Sequence, residues 1–379
     1  MKRFISLFIC LFVLISTVKC ETVHAAQPTV SASSAIVIEA ESGRVIYSHN
    51  ASEVRSMAST TKIMTALLAI ESEQMDEIVT ITAQMLQTEG SSMYLKEGEK
   101  LTLRALVCGL LLESGNDAAN AIAIAVSGSL ERFADAMNKR AKELGMYQTN
   151  FVTPSGLDDD EHETTAHDMA LLGAVAIRNQ EFREIASKSS MSVSWEYPQK
   201  TRTLYYHNRL LNEMEGCIGI KTGYTKKSGR CLVTACERDG ITLIAVTLNA
   251  PNDWQDHKKL MEYAYSQVEL ITLKPHGLEI SLPVVGGGAD RVMVNDNGSA
   301  SAVIPKGRSG DVRMRVETKP FLYAPLLSGD YAGRVIYELD GESIGEIPLT
   351  VARNVEFLRR EYGFWERIWR FLKKLFGFG

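Results

Sequence analysis

Ala58-Ser59-Thr60-Thr61-Lys62-Ile63-Met64-Thr65 opens the stretch that decides how this chain is read. Ile63, Leu67 and Ile70, joined by Met64 and Leu68, make an apolar stripe, and the spacing predicts a helix over residues 60–73. Residues three apart on a helix share a face. If Ser59 begins the helix, Lys62 lies one turn in and reaches its hydroxyl. A serine hydroxyl is a poor nucleophile until a base takes its proton. A lysine serves as that base where burial and a second cation lower its pKa. The spacing alone is not selective, because Ser16-Thr17-Val18-Lys19 repeats it.

Two further motifs lie downstream. Ser114-Gly115-Asn116 falls between a helix that Thr102 starts (Leu103, Leu106, Val107, Leu110, Leu111) and an Ala-rich helix to Val126, which Asp117 is expected to cap. A helix–helix turn there projects Ser114, a proton relay, and Asn116, a holder of a substrate amide, into a cleft. Lys221-Thr222-Gly223 stands at the end of the apolar run 217–220. A strand edge there offers a cation, a hydroxyl and open backbone groups to an extended ligand, with Gly223 permitting close approach. Ser48-His49-Asn50 and Lys227-Ser228-Gly229 imitate these motifs and read as turns. The order S-x-x-K, S-x-N 55 residues later and K-T-G 107 residues after that, on helix start, turn and strand, is the set shared by penicillin-binding proteins and class A β-lactamases.

The neighbourhoods of the three motifs, with Thr153-Pro154-Ser155-Gly156-Leu157, Thr165-Ala166-His167-Asp168 and Asn208-Arg209-Leu210-Leu211, resemble the serine-type D-alanyl-D-alanine carboxypeptidases, the low-molecular-mass penicillin-binding proteins. The resemblance covers about residues 30–270. It implies that Ser59 attacks the carbonyl between the two terminal D-alanines of a peptidoglycan stem peptide and that Lys62 takes its proton. It implies a proton relay at Ser114, peptide positioning by Asn116, and a hold on the terminal carboxylate by Lys221 and Thr222 of the Lys221-Thr222-Gly223 motif. Lys221 also keeps Lys62 neutral, and the backbone N–H groups of Ser59 and Tyr224 form the oxyanion hole. No cofactor or metal is implied, and β-lactams act as inhibitors on Ser59. Two positions depart from the family pattern. His167 stands where an aromatic is more usual. Arg230 stands where a small residue is more usual, and is expected to alter substrate preference.

The rest of the chain gives the architecture. Its 379 residues and 45% hydrophobic content suit two or three domains with real cores, and a net charge of −5 argues against nucleic acid as a partner. Lys2, Arg3 and the apolar run 4–18 read as a signal peptide ending at residue 25 or 26, hence an exported protein facing the cell wall or periplasm. Residues 34–47 read as a hairpin, 130–144 as a helix stopped by Gly145, 217–221, 231–236 and 242–248 as strands, and 258–268 as a helix. From about residue 276, short β-branched runs alternate with Gly, Pro and Asn turns, as in a sandwich. Phe364, Trp365, Ile368, Trp369, Leu372, Leu375 and Phe376 recur at helical spacing beside Arg367, Arg370, Lys373 and Lys374. That pattern predicts an in-plane amphipathic helix on an anionic membrane surface. The expected fold is therefore an α/β catalytic domain, an antiparallel sheet flanked by helices of the β-lactamase/DD-peptidase type, plus an all-β domain and the helix. The expected boundaries are 1–26, 27–272, 273–354 and 355–379.

Cys108, Cys217 and Cys231 sit in apolar runs and read as buried free thiols. His162 and His167 are one residue too far apart for a zinc-protease helix, roughly 140° apart instead of roughly 40°. Gly286-Gly287-Gly288 lacks the Lys-Ser/Thr of a phosphate loop. Asp158-Asp159-Asp160-Glu161 lacks the spacing of a calcium loop and reads as a solvated acidic turn. The competing functions are a β-lactamase, for which no Glu-x-x-Leu-Asn segment lies between Ser114 and Lys221, and a muropeptide or β-lactam sensor without turnover.

Overall fold

The computed structural model describes residues 26–275, 277–296, 298–358 and 363–376; the signal-peptide reading, up to residue 25, lies outside them. Nine α-helices and seventeen strands run in the following order among the described residues. β1 (Ser34–Glu39) and β2 (Val45–His49) form the expected hairpin. A 3-10 turn, Ala58–Thr61, leads into α1 (Lys62–Glu71). β3 (Ile78–Thr80) and β4 (Lys100–Thr102) flank a loop. Then come α2 (Leu103–Leu112), α3 (Asn116–Ser127), α4 (Leu130–Glu143), α5 (Ala166–Arg178) and α6 (Gln180–Ala186). β5 (Ser190–Trp195) and β6 (Lys200–Tyr205) make a second hairpin. α7 (Leu210–Glu213), β7 (Cys217–Thr225), β8 (Gly229–Arg238), β9 (Ile241–Leu248) and α8 (Asp253–Gln267) complete the first domain.

Its sheet has the order β2-β1-β9-β8-β7, antiparallel throughout, with β7 at one edge. Successive strand side chains point to opposite faces, and β1 shows it: Ile36 and Ile38 join the core with α1–α6, while Ala35 and Val37 join a second core with α8. The register Lys221↔Val233 and Gly223↔Cys231 turns Lys221 and Gly223 toward the α1 side. Thr222 and Tyr224 therefore face the α8 side. α1 is buried almost all round, which makes it the central helix of its layer. Local signals set the helix ends. Thr102, Ser129, Thr165 and Asn179 cap α2, α4, α5 and α6 with side-chain oxygens on backbone N–H groups. α5, α6, β5 and β6 fall in the stretch 146–216, where the sequence reading placed no element.

The second domain contains β11 (Ile280–Val285), β12 (Arg291–Asn295), β13 (Ala300–Pro305), β14 (Arg313–Thr318), β15 (Leu322–Tyr323), β16 (Tyr331–Leu339) and β17 (Glu342–Val351). Six of these form a sheet of order β14-β16-β17-β12-β11-β15. It is mixed rather than purely antiparallel, because β15 pairs parallel to β11. β10 (Val268–Leu273) pairs with β13 and packs against that sheet in one core. A boundary at 272–273 thus cuts off the end of a strand whose partner lies in the second domain. α9 (Phe364–Phe376) follows, with Phe364, Trp365, Trp369, Phe371 and Leu375 all exposed. No helix among the described residues is long and apolar enough to cross a membrane.

Among the described residues four cysteines are free: Cys108, Cys231 and Cys236 are buried, whereas Cys217 is only half-buried. Burial pushes the thiols of Cys108 and Cys231 up to about 11.

Candidate active site

Ser59 stands in the 3-10 turn and Lys62 is the first residue of α1, so the expected one-turn separation is realised. The Lys62 amine is fully buried. Its Nζ lies 2.8 Å from Ser59 Oγ and donates to Asn116 Oδ1 at 2.7 Å and to the Ser155 carbonyl at 2.6 Å, so that in the neutral form its lone pair is left for the Ser59 hydroxyl. Burial first, then the cation of Lys221, holds its pKa well below the usual lysine range, against the opposing pull of Asp117. Lys221 is also fully buried; its Nζ donates to the Thr222 carbonyl at 2.9 Å, and burial pulls its pKa down to about 7.

The edge strand reaches this turn because Gly223 has no side chain. A Cβ there would lie 2.9 Å from the Ser59 backbone nitrogen and 3.1 Å from the Ala58 Cβ. Gly156, at φ +82°, makes the same approach from the opposite loop, where a Cβ would lie 2.0 Å from the Ala58 carbonyl oxygen. Ala58 itself has φ +49°, a left-handed conformation that costs a residue with a Cβ energy. Tyr224 stands exposed beyond Gly223, on the rim.

Ser114 lies on the turn between α2 and α3 with φ +57°, and among the described residues its hydroxyl has no hydrogen bond. Asn116 is held inside the protein: its Oδ1 accepts from Lys62 and one N–H of its Nδ2 donates to the Glu89 carbonyl at 2.5 Å. Asp117 departs from expectation. Gly115 occupies the cap position of α3, and the Asp117 carboxylate accepts from its neighbour Ala118 N at 2.9 Å and from Ser92 Oγ, Met93 N and Leu95 N at 2.7, 2.8 and 2.9 Å, folding the 91–95 loop against the site.

The acidic turn is exposed at Asp158, Asp159, Asp160 and Glu161, as expected of a solvated turn. Asp158 accepts from Thr225 Oγ1 at 2.8 Å and Asp160 pairs with Lys227 at 2.7 Å, tying the turn to the β7–β8 hairpin. Arg230 lies directly opposite Tyr224 on β8. Its Nε donates to the buried Asp253 at 2.9 Å and its guanidinium covers the Trp254 ring at 5.5 Å. His167 is half-exposed beside Asp168, while His162 is buried and bonded to Thr61. The contributions of Ser155 and His162 were not legible as site chemistry. Ser155 acts through its carbonyl, which every residue type carries, and its only sequence signal was the Thr-Pro-Ser-Gly-Leu run. His162 attracted notice only as half of a rejected zinc pair.

An antiparallel sheet between helical layers, with a Ser–Lys pair opposite Lys-Thr-Gly on the edge strand and an all-β domain behind it, defines the class of the penicillin-binding DD-peptidase fold. Residues 21–252 match the family described as D-alanyl-D-alanine carboxypeptidase, and residues 269–357 match the penicillin-binding protein 5 C-terminal domain. The chain belongs to the D-alanyl-D-alanine carboxypeptidase family. It is 33% identical over 389 residues to the carboxypeptidase DacC of Escherichia coli K12, covering 98% of this chain and 94% of that protein. It is 30% identical over 352 residues to DacF of Bacillus subtilis, covering 89% and 90%. Among solved structures, penicillin binding protein 5 from Haemophilus influenzae superposes with a TM-score of 0.69 at 29% identity, over 88% of this chain and 99% of that one. A Streptomyces K15 DD-transpeptidase mutant superposes with a TM-score of 0.61 at 30% identity, over 63% of this chain and 100% of that one.

Proposed function

We propose that this protein is an exported serine D-alanyl-D-alanine carboxypeptidase that trims peptidoglycan stem pentapeptides through an acyl-enzyme on Ser59. Family membership supports the carboxypeptidase activity. The observation that carries the serine mechanism is Lys62 Nζ, 2.8 Å from Ser59 Oγ in a setting that disfavours its ammonium form. Ser59 Oγ attacks the carbonyl carbon of the bond between the two terminal D-alanines, and its proton passes to neutral Lys62. Charge then builds on the carbonyl oxygen, opposite the N–H groups of Ser59 and Tyr224. Such donors are typically worth about 3–4 kcal/mol each in the transition state. The intermediate collapses, Ser114 passes a proton to the departing D-alanine amine, and water hydrolyses the ester. Lys221, on the α1 face of β7, holds the substrate's terminal carboxylate; Thr222, expected to share that role, points to the opposite face of the strand. A β-lactam acylates the same oxygen.

The exposed apolar side chains of α9 support placement at the outer face of the cytoplasmic membrane, with the helix lying in the headgroup region of an anionic surface. From Arg359 to Gly379 there are six basic and two acidic residues, a surplus of four positive charges that suits such lipids.

The decisive test is D-alanine release from diacetyl-Lys-D-Ala-D-Ala by protein lacking residues 1–26, beside Ser59→Ala. Release should fall roughly 10⁴- to 10⁶-fold in the variant, and labelled penicillin should no longer attach. Equal release from both proteins would remove Ser59 as nucleophile. Penicillin uptake without release from any peptide would favour the sensor, and rapid nitrocefin turnover the β-lactamase.

A further inference from the structure

We infer that His162 is a positioning residue that holds Ser59 and Lys62 in register by bonding, with its two ring nitrogens, the two chain segments that carry the site. The inference rests on the roles proposed above for Ser59 and Lys62. On one side, Nδ1 accepts from the backbone N–H groups of Val152 and Thr153 at 2.9 and 3.3 Å. Two donors converge on Nδ1, so that nitrogen carries no proton and the ring proton sits on Nε2. On the other side, Nε2 is 2.8 Å from Thr61 Oγ1, and Thr61 Oγ1 donates to the Ala58 carbonyl at 2.8 Å. The hydroxyl proton is therefore committed to Ala58, and Nε2–H donates to Thr61.

The two segments meet at the catalytic pair. Residues 152–156 supply the Ser155 carbonyl that accepts from Lys62. Residues 58–61 carry Ser59 and include Ala58, whose left-handed backbone must be held from outside. Thr61 lies inside the S-x-x-K motif itself, so the imidazole reaches the nucleophile's turn through one hydroxyl. Phe151 packs edge-on against the ring at 5.9 Å. The charged groups around it are Asp159 and Asp158 from the acidic turn and Lys62 from α1. Burial dominates them and pulls the imidazole down to about 4, so the bracket is intact at neutral pH. A proton on Nδ1 would face two N–H groups and open it.

The test compares wild-type protein with His162→Ala, His162→Gln and His162→Asn. The readout is the second-order rate of acylation by a fluorescent penicillin between pH 4 and 9, normalised to titrated sites, with melting temperature recorded alongside. Glutamine can keep an N–H toward Thr61 and asparagine an acceptor toward Val152, whereas alanine keeps neither. The expected order is wild type, then the two amide variants, then alanine, whose rate falls roughly 10- to 100-fold as for a misplacement of about 1 Å. In the alanine variant the acid limb should also move to higher pH, because a loosened cradle admits water to Lys62. Alanine acylating within about twofold of wild type with an unmoved acid limb overturns the inference. If alanine does not fold, the amide variants decide: both at the wild-type rate and limb would equally overturn it. Failure of the wild-type protein itself to take up penicillin at Ser59 would instead remove the reading on which the inference rests.

Discussion

The two domains handle charge in opposite ways. In the first, Lys62 and Lys221 are fully buried, and among the described residues neither pairs with a carboxylate in a salt bridge. In the second, Arg315 and Arg334 lie on the solvent face of the β14–β16–β17 ladder. They alternate with Glu317, Glu338 and Glu346 at 2.8–3.0 Å, apart from a still closer Arg315–Glu317 contact. The exposed ladder keeps its guanidiniums charged and contributes little to stability. The buried pair gives up stability, and under the proposed mechanism obtains in return a lysine that acts as a base. Unusual titration therefore marks function in the first domain, while plain ion pairing in the second marks a soluble sheet surface.

The sharpest challenge to this contrast is Lys62→Met. Penicillin acylation should fall on the order of 10²- to 10⁴-fold, as for loss of a general base. The melting temperature at pH 7 should not fall with it. A lysine whose folded pKa is depressed loses stability as pH drops below its ordinary value, and methionine removes that loss. A drop of many degrees would show that the hydrogen bonds of Lys62 outweigh its desolvation, and the contrast would break.

Gly223→Val asks whether closeness or charge limits the site. The added side chain meets the Ser59 backbone and should push β7 away, lowering acylation about 10²-fold while leaving the second domain's unfolding unchanged. Acylation near the wild-type rate would mean the strand edge tolerates displacement.

Acid titration separates the domains in a third way. His162 and His257 lie in the first domain, with imidazoles pulled down by burial to about 4 and about 3 from an ordinary 6.5. Because the unfolded chain takes up protons first, stability should fall as pH drops from 6.5 toward 4, on the order of 3 kcal/mol for His162. Above pH 6.5 neither contributes. Denaturant unfolding at pH 7 and pH 5 measures this, and His162→Gln should flatten the slope; an unchanged slope would refute the assignment. The smallest effect is expected from Glu317→Gln, which should cost less than about 1 kcal/mol and vanish in high salt. A larger, salt-independent loss would mean that the ladder is structural.

What could be read in advance follows from the range of the interactions. The β1–β2 hairpin, α2 with Thr102 at its start, α4 with Gly145 at its end, and the β7–β9 meander were legible because turn residues, caps and alternation act within a few positions. The stretch 146–216 was not. Its short hairpin β5–β6 is mostly exposed, and α5 is buried on most of its surface, so neither has a one-sided stripe. Asp117 was misread for the same reason: a carboxylate at a helix start suits a cap, and nothing local reveals that its partners are Ser92, Met93 and Leu95. α9 shows the reverse, since its amphipathic pattern was plain and the folded protein leaves its large apolar side chains exposed.

The sequence by itself determined that Ser59 and Lys62 face each other, because one helical turn is a covalently short distance, and it placed three motifs on a helix start, a turn and a strand. Only the tertiary structure decided what surrounds Lys62 and lowers its pKa. The Lys221 cation that depresses it, the Asn116 amide and Ser155 carbonyl that hold it, and the His162 ring behind the turn come from positions 54 to 159 residues further along the chain. Burial and a neighbouring charge are properties of space around a group, and the chain order does not contain them until the sheet closes against the helices.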